Sequence, residues 1–284
     1  MKSRILILGS KGTLGQSLVK EFSSSEYEVV AYDKDELDVS SPEAPEKIKQ
    51  LKPDILINSI AYNAVGKMET DESQREIAFF LNSKLPGILA NICKEIDATF
   101  IHYSTSYVFD GENKEGYKEG DVPNPIDLYG KSKSEGEESV KNVGGKYYII
   151  RLSRLFGERG ISDMSKKTFV EIMQGEVEKE TLEVGDTEIS SVTYSPDLAK
   201  LTRYIIENKV PYGIYHGAND GMCTWYEWAK EIFKDMGKGP VVTPSKVSLT
   251  PATVKHPQFS GLINTKLPKQ RSWQEALAEF LQSK

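Results

Sequence analysis

Short apolar runs alternate with longer segments of helical periodicity over the first 153 residues of the chain. The apolar runs are RILIL (4–8), YEVVAY (27–32), DILINSIA (54–61), ATFIHYS (98–104) and KYYIIRLS (146–153). Runs of this kind are typical of strands buried on both faces of a parallel sheet. The segments between them predict helices over about 12–22, 42–51, 72–96 and 125–140, with Pro86 breaking or kinking the third. The alternation therefore predicts an α/β fold.

The second half of the chain has a less regular pattern. It predicts helices at 166–175, 195–208, 223–237 and 272–281 and strands at 181–184 and 212–218, with Ser195, Thr224 and Ser272 as helix caps. Together the two halves predict a Rossmann-like doubly wound parallel sheet with a smaller C-terminal lobe. We place the sheet domain at 1–156 and the smaller lobe mainly at 157–284, with about 190–218 returning to the sheet domain.

A glycine-rich loop, GSKGTLGQ at positions 9–16, follows the first predicted strand and opens the first predicted helix. Gly9 is suited to the tight turn, Gly12 to close approach of a pyrophosphate, and Gly15 to close packing of helix on strand. The N-terminus of the helix also favours a bound anion. The strand before the loop and the helix after it provide the context that this motif requires, so the first domain is predicted to bind a dinucleotide.

The choice between NADH and NADPH stays open at this stage. Asp33 ends the second predicted strand, where a carboxylate can bind the adenosine ribose and favour NADH. Lys34 beside it and Lys11 in the loop are suited to a 2′-phosphate instead and would favour NADPH.

The segment YGKSK places Tyr129 and Lys133 four residues apart, on the same face of a predicted helix. A nearby ammonium stabilises a phenolate, so Lys133 is expected to lower the pKa of Tyr129 toward the working pH. Tyr129 can then give a proton to a carbonyl oxygen as hydride reaches the carbon. The segment STSYVFDG (104–111) supplies two hydroxyls, Ser104 and Thr105, at the end of the fourth predicted strand, and either can bond the same oxygen. The pair alone is weak evidence, but the glycine loop strengthens it.

Composition excludes several other kinds of protein. The chain has 284 residues, a net charge of −6 and no basic run, which argues against a nucleic-acid partner. No apolar segment is long enough to suggest a membrane span. Cys93 and Cys223 are too few for a disulfide framework, which favours a cytoplasmic location. The three histidines lack the spacing of metal ligands, so no metal site is predicted.

Several motifs, in order along nearly the whole chain, resemble those of the extended short-chain dehydrogenase/reductases and, more narrowly, the dTDP-4-dehydrorhamnose reductase family. They are GSKGTLGQ, LDVS (37–40), INSIAYNAV (57–65), STSYVFDG, PIDLYGKSKSEGE (125–137), IIRLSRLFG (149–157), YSPDLA (194–199) and GIYHGANDGMCTWYEWAKEIF (213–233). The resemblance implies reduction of the C4 ketone of a dTDP-linked 6-deoxy sugar, first of all dTDP-4-dehydro-rhamnose, with NADPH or NADH. It also implies a role in polysaccharide biosynthesis, a homodimer, and a substrate-binding function for the smaller lobe.

The resemblance further assigns individual residues. It makes Thr105, Tyr129 and Lys133 the catalytic trio, with Lys133 also bonding the nicotinamide ribose. Cofactor contacts would come from Gly12, Thr13, Leu14, Asp38, Val39, Ala61 and Tyr62. The substrate would lie against Ser106, Tyr107 and Arg154.

The chain departs from the family pattern mainly on the sugar side. Ser106 stands where aspartate is usual, Arg154 where tryptophan is usual, and Gly66 where aspartate follows AV. His256 precedes Pro257 where arginine is usual. A reductase of a different nucleotide keto-sugar is therefore an alternative, with Arg154 meeting a charged or acylated substituent. Arg154 is equally suited to be a structural partner of a surface carboxylate. A non-catalytic NAD(P)-binding regulatory subunit is another, although the intact trio argues against it.

Overall fold

The computed structural model describes residues 2–23, 26–162, 165–246 and 255–283. Its strands are β1 (Ser3–Leu8), β2 (Tyr27–Tyr32), β3 (Ile55–Asn58), β4 (Thr99–Thr105), β5 (Tyr147–Leu152), β6 (Leu155–Phe156), β7 (Thr181–Gly185), β8 (Ile189–Ser190), β9 (Thr193–Tyr194), β10 (Gly213–His216), β11 (Cys223–Thr224), β12 (Val241–Ser245) and β13 (Phe259–Ser260). Its α-helices are α1 (Thr13–Phe22), α2 (Ala44–Leu51), α3 (Val65–Thr70), α4 (Glu72–Phe79), α5 (Leu85–Glu95), α6 (Leu128–Val143), α7 (Phe169–Gly175), α8 (Ser195–Glu207), α9 (Trp225–Met236) and α10 (Trp273–Gln282).

The central sheet contains six strands in the order β10-β5-β4-β3-β1-β2, and all of its neighbouring pairs are parallel. Alternate residues of each strand point to opposite faces, and both faces are covered. Ile5 and Ile7 pack on the side of α1 and α8. Leu6 and Leu8 pack on the other side, with α2 and α5. The predicted α/β fold with a doubly wound parallel sheet is thus confirmed.

A third core lies in the C-terminal part of the chain, around Trp228. Helices α9 and α10 both begin at capping boxes, and the predicted caps Thr224 and Ser272 are confirmed. The prediction for Ser195 was wrong, because Tyr194 is the N-cap residue of α8 and the Ser195 hydroxyl instead bonds that of Ser17. The small β-sheets of this region are formed by short strands, among them β7 paired with β12.

Pro86 does not end the predicted helix at 72–96. The chain stays helical through α4, a π-helical segment at Phe80–Lys84, and α5. Pro86 lacks the N–H group that would bond the Asn82 carbonyl one turn earlier. Gly136 of α6 packs on that carbonyl so closely that an added Cβ would lie 2.1 Å from its oxygen. The irregular turn therefore lets α6 pack closely on the π-helical segment.

Within the described ranges, no helix is both long and apolar enough to cross a lipid bilayer.

Candidate active site

The glycine loop has the geometry of an anion cradle. Gly9 adopts φ +78°, and its N–H group donates to the Tyr32 carbonyl at 2.9 Å. At Gly15 an added Cβ would lie 2.1 Å from the Gly9 carbonyl oxygen, so only glycine fits. Gly12 is the N-cap of α1 and has no side chain to bond the free N–H groups of the first turn. The residues present thus fit the pyrophosphate of a dinucleotide.

A segment that sequence reasoning missed lies against this loop. The Gly160 N–H group donates to Thr13 Oγ1 at 3.2 Å, and the Ile161 N–H group donates to the Lys11 carbonyl at 2.8 Å. Leu14, next to Thr13, is buried in the sheet core rather than exposed. Because these contacts join residues nearly 150 positions apart, no local pattern could have indicated them.

The polar groups at the end of β2 are already engaged. Asp33 Oδ2 accepts the Lys11 N–H at 3.0 Å, and its Oδ1 accepts the Lys34 N–H at 2.8 Å. The Lys11 ammonium pairs with Asp35 at 2.7 Å and with Glu36 at 3.2 Å. Those carboxylates raise the pKa of Lys11. Of the two lysines considered for a 2′-phosphate, Lys11 is therefore held by carboxylates, whereas Lys34 is exposed.

The other predicted cofactor residues line the ends of the neighbouring strands. Asp38 and Ala61 are exposed, and Val39 packs partly against the sheet core. Tyr62 is buried, and its backbone is held by Asn82, whose Oδ1 accepts the Tyr62 N–H at 2.9 Å and whose Nδ2 donates to the Tyr62 carbonyl at 2.9 Å. Asn82 lies in the π-helical segment, so this second role of that segment was not visible in the sequence.

Thr105 and Tyr129 meet at the carboxyl end of β4. Thr105 is the last residue of the strand, and Tyr129 lies in the first turn of α6. The Thr105 side chain lies close enough to Tyr129 to lower the pKa of its hydroxyl. Asp127 caps the helix, because its Oδ1 accepts the Gly130 N–H at 2.6 Å. A strand end and a capped helix start thus bring the two predicted hydroxyls together.

Lys133 lies one turn further along α6 and is only 1% exposed. Its Nζ donates to the Tyr103 carbonyl at 2.7 Å and lies 3.4 Å from His102 Nε2. Both contacts are on β4, so the amine points toward the sheet. His102 is a further residue of the site that sequence reasoning treated only as an isolated histidine.

The expected lowering of the Tyr129 pKa was wrong for the chain by itself. Burial raises the pKa of Tyr129 to about 12, and the charge of Asp127 adds to this, while the Thr105 hydrogen bond opposes it. Burial also lowers the pKa of Lys133 to about 8. Desolvation outweighs charge here because Lys133 is fully buried and the ring of Tyr129 is partly covered by its neighbours. A phenol in this condition is protonated at neutral pH, which is the state that a proton donor requires.

Ser106 is fully buried and takes part in a row of serine hydroxyls. Its Oγ donates to Ser153 Oγ at 3.0 Å, and Ser153 Oγ lies 2.6 Å from Ser190 Oγ. Ser260 Oγ donates to Ser190 Oγ at 2.9 Å. This row joins the end of the main sheet to the small sheets of the C-terminal lobe. Ser106 therefore faces protein, not an open surface.

Tyr107 and His256 lie beside Tyr129. The ring of Tyr107 packs edge-on against that of Tyr129, with ring centres 5.8 Å apart. Its hydroxyl lies 3.1 Å from His256 Nδ1. His256 was noted in the sequence only as a departure near the C-terminus, and its distance along the chain concealed this contact.

Arg154 belongs to the same region through contacts that the sequence did not suggest. Its backbone has φ +40°, and its guanidinium lies 3.9 Å from the ring centre of Trp225. The same group donates to the carbonyls of Cys223 at 2.8 Å and Glu188 at 2.9 Å. Its positive charge acts on the hydroxyl of Tyr107. These partners are carbonyl oxygens and an indole face rather than the surface carboxylate considered from the sequence.

No group of three or more His, Cys, Asp or Glu side chains suited to a metal ion is found among the residues that the structure describes.

Comparison with known proteins gives consistent matches over the full chain. The family model described as RmlD substrate binding domain matches residues 2–284. The spore coat polysaccharide biosynthesis protein SpsK of Bacillus subtilis is 31% identical, over 99% of this chain and 98% of that protein. A dTDP-4-dehydrorhamnose reductase of Aggregatibacter actinomycetemcomitans is 33% identical, over 97% of each. The crystal structure of dTDP-4-dehydrorhamnose reductase from Bacillus anthracis in complex with NADP superposes with a TM-score of 0.92, at 32% identity and full coverage of both chains.

Proposed function

The chain belongs to the RmlD substrate-binding-domain family, and from this premise we propose that it is an NAD(P)H-dependent oxidoreductase acting on a nucleotide-linked sugar. The reaction is reduction of the 4-keto group of a 6-deoxy sugar, with dTDP-4-dehydro-rhamnose as substrate and dTDP-rhamnose as product. The relative from Aggregatibacter carries this activity in its name. The observation that carries the proposal is the placement of the three residues: Thr105 ends β4, Tyr129 lies in the first turn of α6, and buried Lys133 lies one helical turn further along.

The chain supplies the proton of the reaction. When bound, the reduced nicotinamide supplies a hydride to C4 of the sugar. Tyr129 gives its hydroxyl proton to the ketone oxygen, which becomes the new alcohol, and the phenolate keeps the electron pair of the O–H bond. Thr105 orients the ketone oxygen and stabilises the phenolate by its hydrogen bond. Lys133 binds the nicotinamide ribose and, in its ammonium form, stabilises the same phenolate.

NADPH or NADH is held by the glycine loop and the neighbouring strand ends. The residues proposed for this are Gly9, Lys11, Gly12, Thr13, Leu14, Gly15, Asp33, Lys34, Asp38, Val39, Ala61, Tyr62, Tyr129 and Lys133. The Bacillus anthracis relative, solved with NADP, supports a 2′-phosphate at this position. Exposed Lys34 is the cation suited to bind that phosphate, because the Lys11 ammonium already has carboxylate partners.

The substrate side consists of Tyr107 and Arg154. Ser106, expected from the sequence to meet the sugar, is buried with its hydroxyl on Ser153, so its proposed role is to support this wall from behind. Arg154, stacked on Trp225, favours a second candidate: reduction of a different nucleotide keto-sugar whose substituent meets a guanidinium and an indole rather than the usual aspartate and tryptophan. In this proposal residues 1–156 form the dinucleotide-binding domain, to which about 190–218 return. The lobe at 157–284 mainly binds the substrate. A cytoplasmic location and a homodimer belong to the same proposal and rest on the family resemblance.

Oxidation of NADPH or NADH with freshly prepared dTDP-4-dehydro-rhamnose tests the proposal, with Tyr129→Phe beside the natural chain. We expect the variant to lose at least about 100-fold in turnover, because it lacks the proton donor, while keeping most of its cofactor affinity, which the glycine loop provides. Tyr148→Phe is a matched control, since Tyr148 lies on β5 and its hydroxyl donates to the Val210 carbonyl in the loop between α8 and β10. Undiminished turnover by Tyr129→Phe would refute the assignment. If the natural chain binds cofactor but fails on this sugar, a panel of other nucleotide keto-sugars tests the second candidate.

A further inference from the structure

Two buried polar residues lie directly behind Lys133. Asn58 at the end of β3 and His102 on β4 are register partners, and both are 0% exposed. Asn58 Nδ2 lies 3.2 Å from His102 Nδ1, and His102 Nε2 lies 3.4 Å from Lys133 Nζ. The three side chains thus form a row from the sheet interior to the candidate site. A fully buried polar row of this kind needs a consistent set of donors and acceptors.

The orientation of the Asn58 amide determines which histidine nitrogen carries the proton. Asn58 Oδ1 accepts the Ile60 N–H at 3.1 Å, so Nδ2 faces the imidazole. An amide nitrogen can only donate, and His102 Nδ1 must therefore accept. A neutral imidazole then carries its single proton on Nε2. Burial lowers the pKa of His102, which keeps the ring neutral.

The Nε2–H group of His102 consequently points at the Lys133 side chain. An ammonium has three donors and no lone pair, so Lys133 in that form would place a donor against the Nε2–H donor of His102. A neutral amine satisfies every contact: it donates one hydrogen to the Tyr103 carbonyl, accepts from Nε2–H, and keeps one hydrogen for a ligand. Burial lowers the pKa of Lys133 to about 8, so the neutral amine becomes the major form above that pH.

We propose that Asn58 and His102 are positioning residues for Lys133, which hold its amine against β4 and favour its uncharged form in the chain without ligand. The inference rests on the proposed function for its catalytic meaning, because Lys133 is the cofactor-binding and phenolate-stabilising group there.

The other charged and titratable groups around Lys133 do not provide this effect. On α6, Glu137 favours the ammonium form of Lys133, but its carboxylate is already held by Arg151 of β5 at 2.8 and 2.6 Å. Tyr129 of α6 and Tyr103 of β4 carry phenols whose pKa burial raises, so both are neutral. Asn58 of β3 is uncharged. His102 is then the neighbour whose proton position decides what faces Nζ.

The proton position can be read directly by NMR of the natural chain labelled with ¹⁵N-histidine. The chain has three histidines, so His102→Gln and His216→Gln variants suffice to assign the signals. His216 is an internal control, because its Nδ1 faces the Ile263 carbonyl at 3.0 Å and must be the protonated nitrogen. We expect the opposite tautomer at His102, with Nε2 protonated and Nδ1 bare. An Nδ1-protonated or doubly protonated His102 would overturn the proposal.

Replacement of Asn58 tests the link to Lys133. In Asn58→Asp, an isosteric change, a carboxylate accepts from Nδ1–H, which turns the Nε2 lone pair toward the amine. In Asn58→Ala, His102 Nδ1 loses its amide partner, so either ring nitrogen can carry the proton, and no charge is added. We expect the NMR titration midpoint of the Lys133 side chain to rise by about one pH unit in both variants. An unchanged midpoint in both would overturn the inference.

These readouts separate the two proposals. Failure of the natural chain to turn over any keto-sugar would refute the proposed function and leave the His102 tautomer unaffected. Normal turnover with an Nδ1-protonated His102 would refute the inference alone. If Asn58→Ala fails to fold, the tautomer of the natural chain still decides.

Discussion

The two walls of the candidate site are assembled in different ways. On the sheet wall, Thr105, Tyr129 and Lys133 come from one strand end and the first two turns of one helix. On the lobe wall, Arg154 and His256 reach the site from segments about 100 residues apart, and Arg154 depends on Trp225 for its place. The sheet wall therefore follows from local spacing and parallel topology. The lobe wall depends on long-range packing, which allows the sugar pocket to change while the proton chemistry is kept.

The glycine loop follows β1 of the same sheet as the sheet wall, and a change there is expected to have the largest effect. In Gly15→Ala the new Cβ would lie 2.1 Å from the Gly9 carbonyl oxygen, so α1 must move away from β1. We expect cofactor affinity to fall by at least about 100-fold, or the chain to unfold, measured by titration with NADPH and by thermal unfolding. Gly66→Ala is the control, because nothing lies within 4 Å of its added Cβ. Normal affinity in Gly15→Ala would mean that the loop does not hold the cofactor.

The buried ion pair between α6 and β5 provides the next test. Glu137 and Arg151 are each 1% exposed and make two hydrogen bonds. Glu137→Gln leaves the Arg151 charge buried without its partner, and we expect a loss of about 3–5 kcal/mol in the free energy of unfolding. Denaturant titration measures it. Glu138→Gln removes one partner of the exposed pair with Lys141 and should cost less than about 1 kcal/mol. Equal costs for the two variants would contradict the role of burial.

Asp127 gives the sheet wall a pH dependence. Burial of its carboxyl raises its pKa to about 6, and its Oδ2 is buried with no hydrogen-bond partner among the described residues. A pKa raised in the folded state means that Asp127 contributes stability below its unfolded pKa of 3.8, and that this is lost as the pH rises to about 6. Asp127→Asn keeps the helix cap without the charge. We expect it to gain on the order of 1–3 kcal/mol relative to the natural chain between pH 4 and pH 7, by denaturant titration. A constant difference would show that the carboxyl is not desolvated.

Arg154 tests the lobe wall, with the smallest expected effect. Arg154→Met removes the two hydrogen bonds and the cationic stack on Trp225. We expect KM for the sugar to rise about tenfold, with cofactor affinity and kcat little changed, by steady-state kinetics. Arg154→Lys should not restore KM, because a lysine lacks the planar fork. If only thermal stability falls while KM is unchanged, Arg154 supports the lobe without meeting the substrate.

The outcome along the chain follows the same division. The strand at 27–32 and the helices capped by Thr224 and Ser272 were predicted well, because their signals, an apolar run and polar cap residues, are local. Ser195 was misplaced as a cap because its hydroxyl found a tertiary partner, Ser17. Pro86 was expected to interrupt a helix, but a π-helical segment accommodated it.

The amino-acid sequence by itself determined the parallel α/β sheet, the glycine loop and the spacing of Thr105, Tyr129 and Lys133. Periodicity, caps and glycines act over a few residues, and parallel topology places their strand ends on one edge. Only the tertiary structure decided the charge states and the neighbours. Burial raises the pKa of Tyr129 and lowers that of Lys133, and desolvation depends on what covers a group, not on its place in the chain. The contacts of Ser106, Arg154 and His102 likewise required residues that the fold alone brings together.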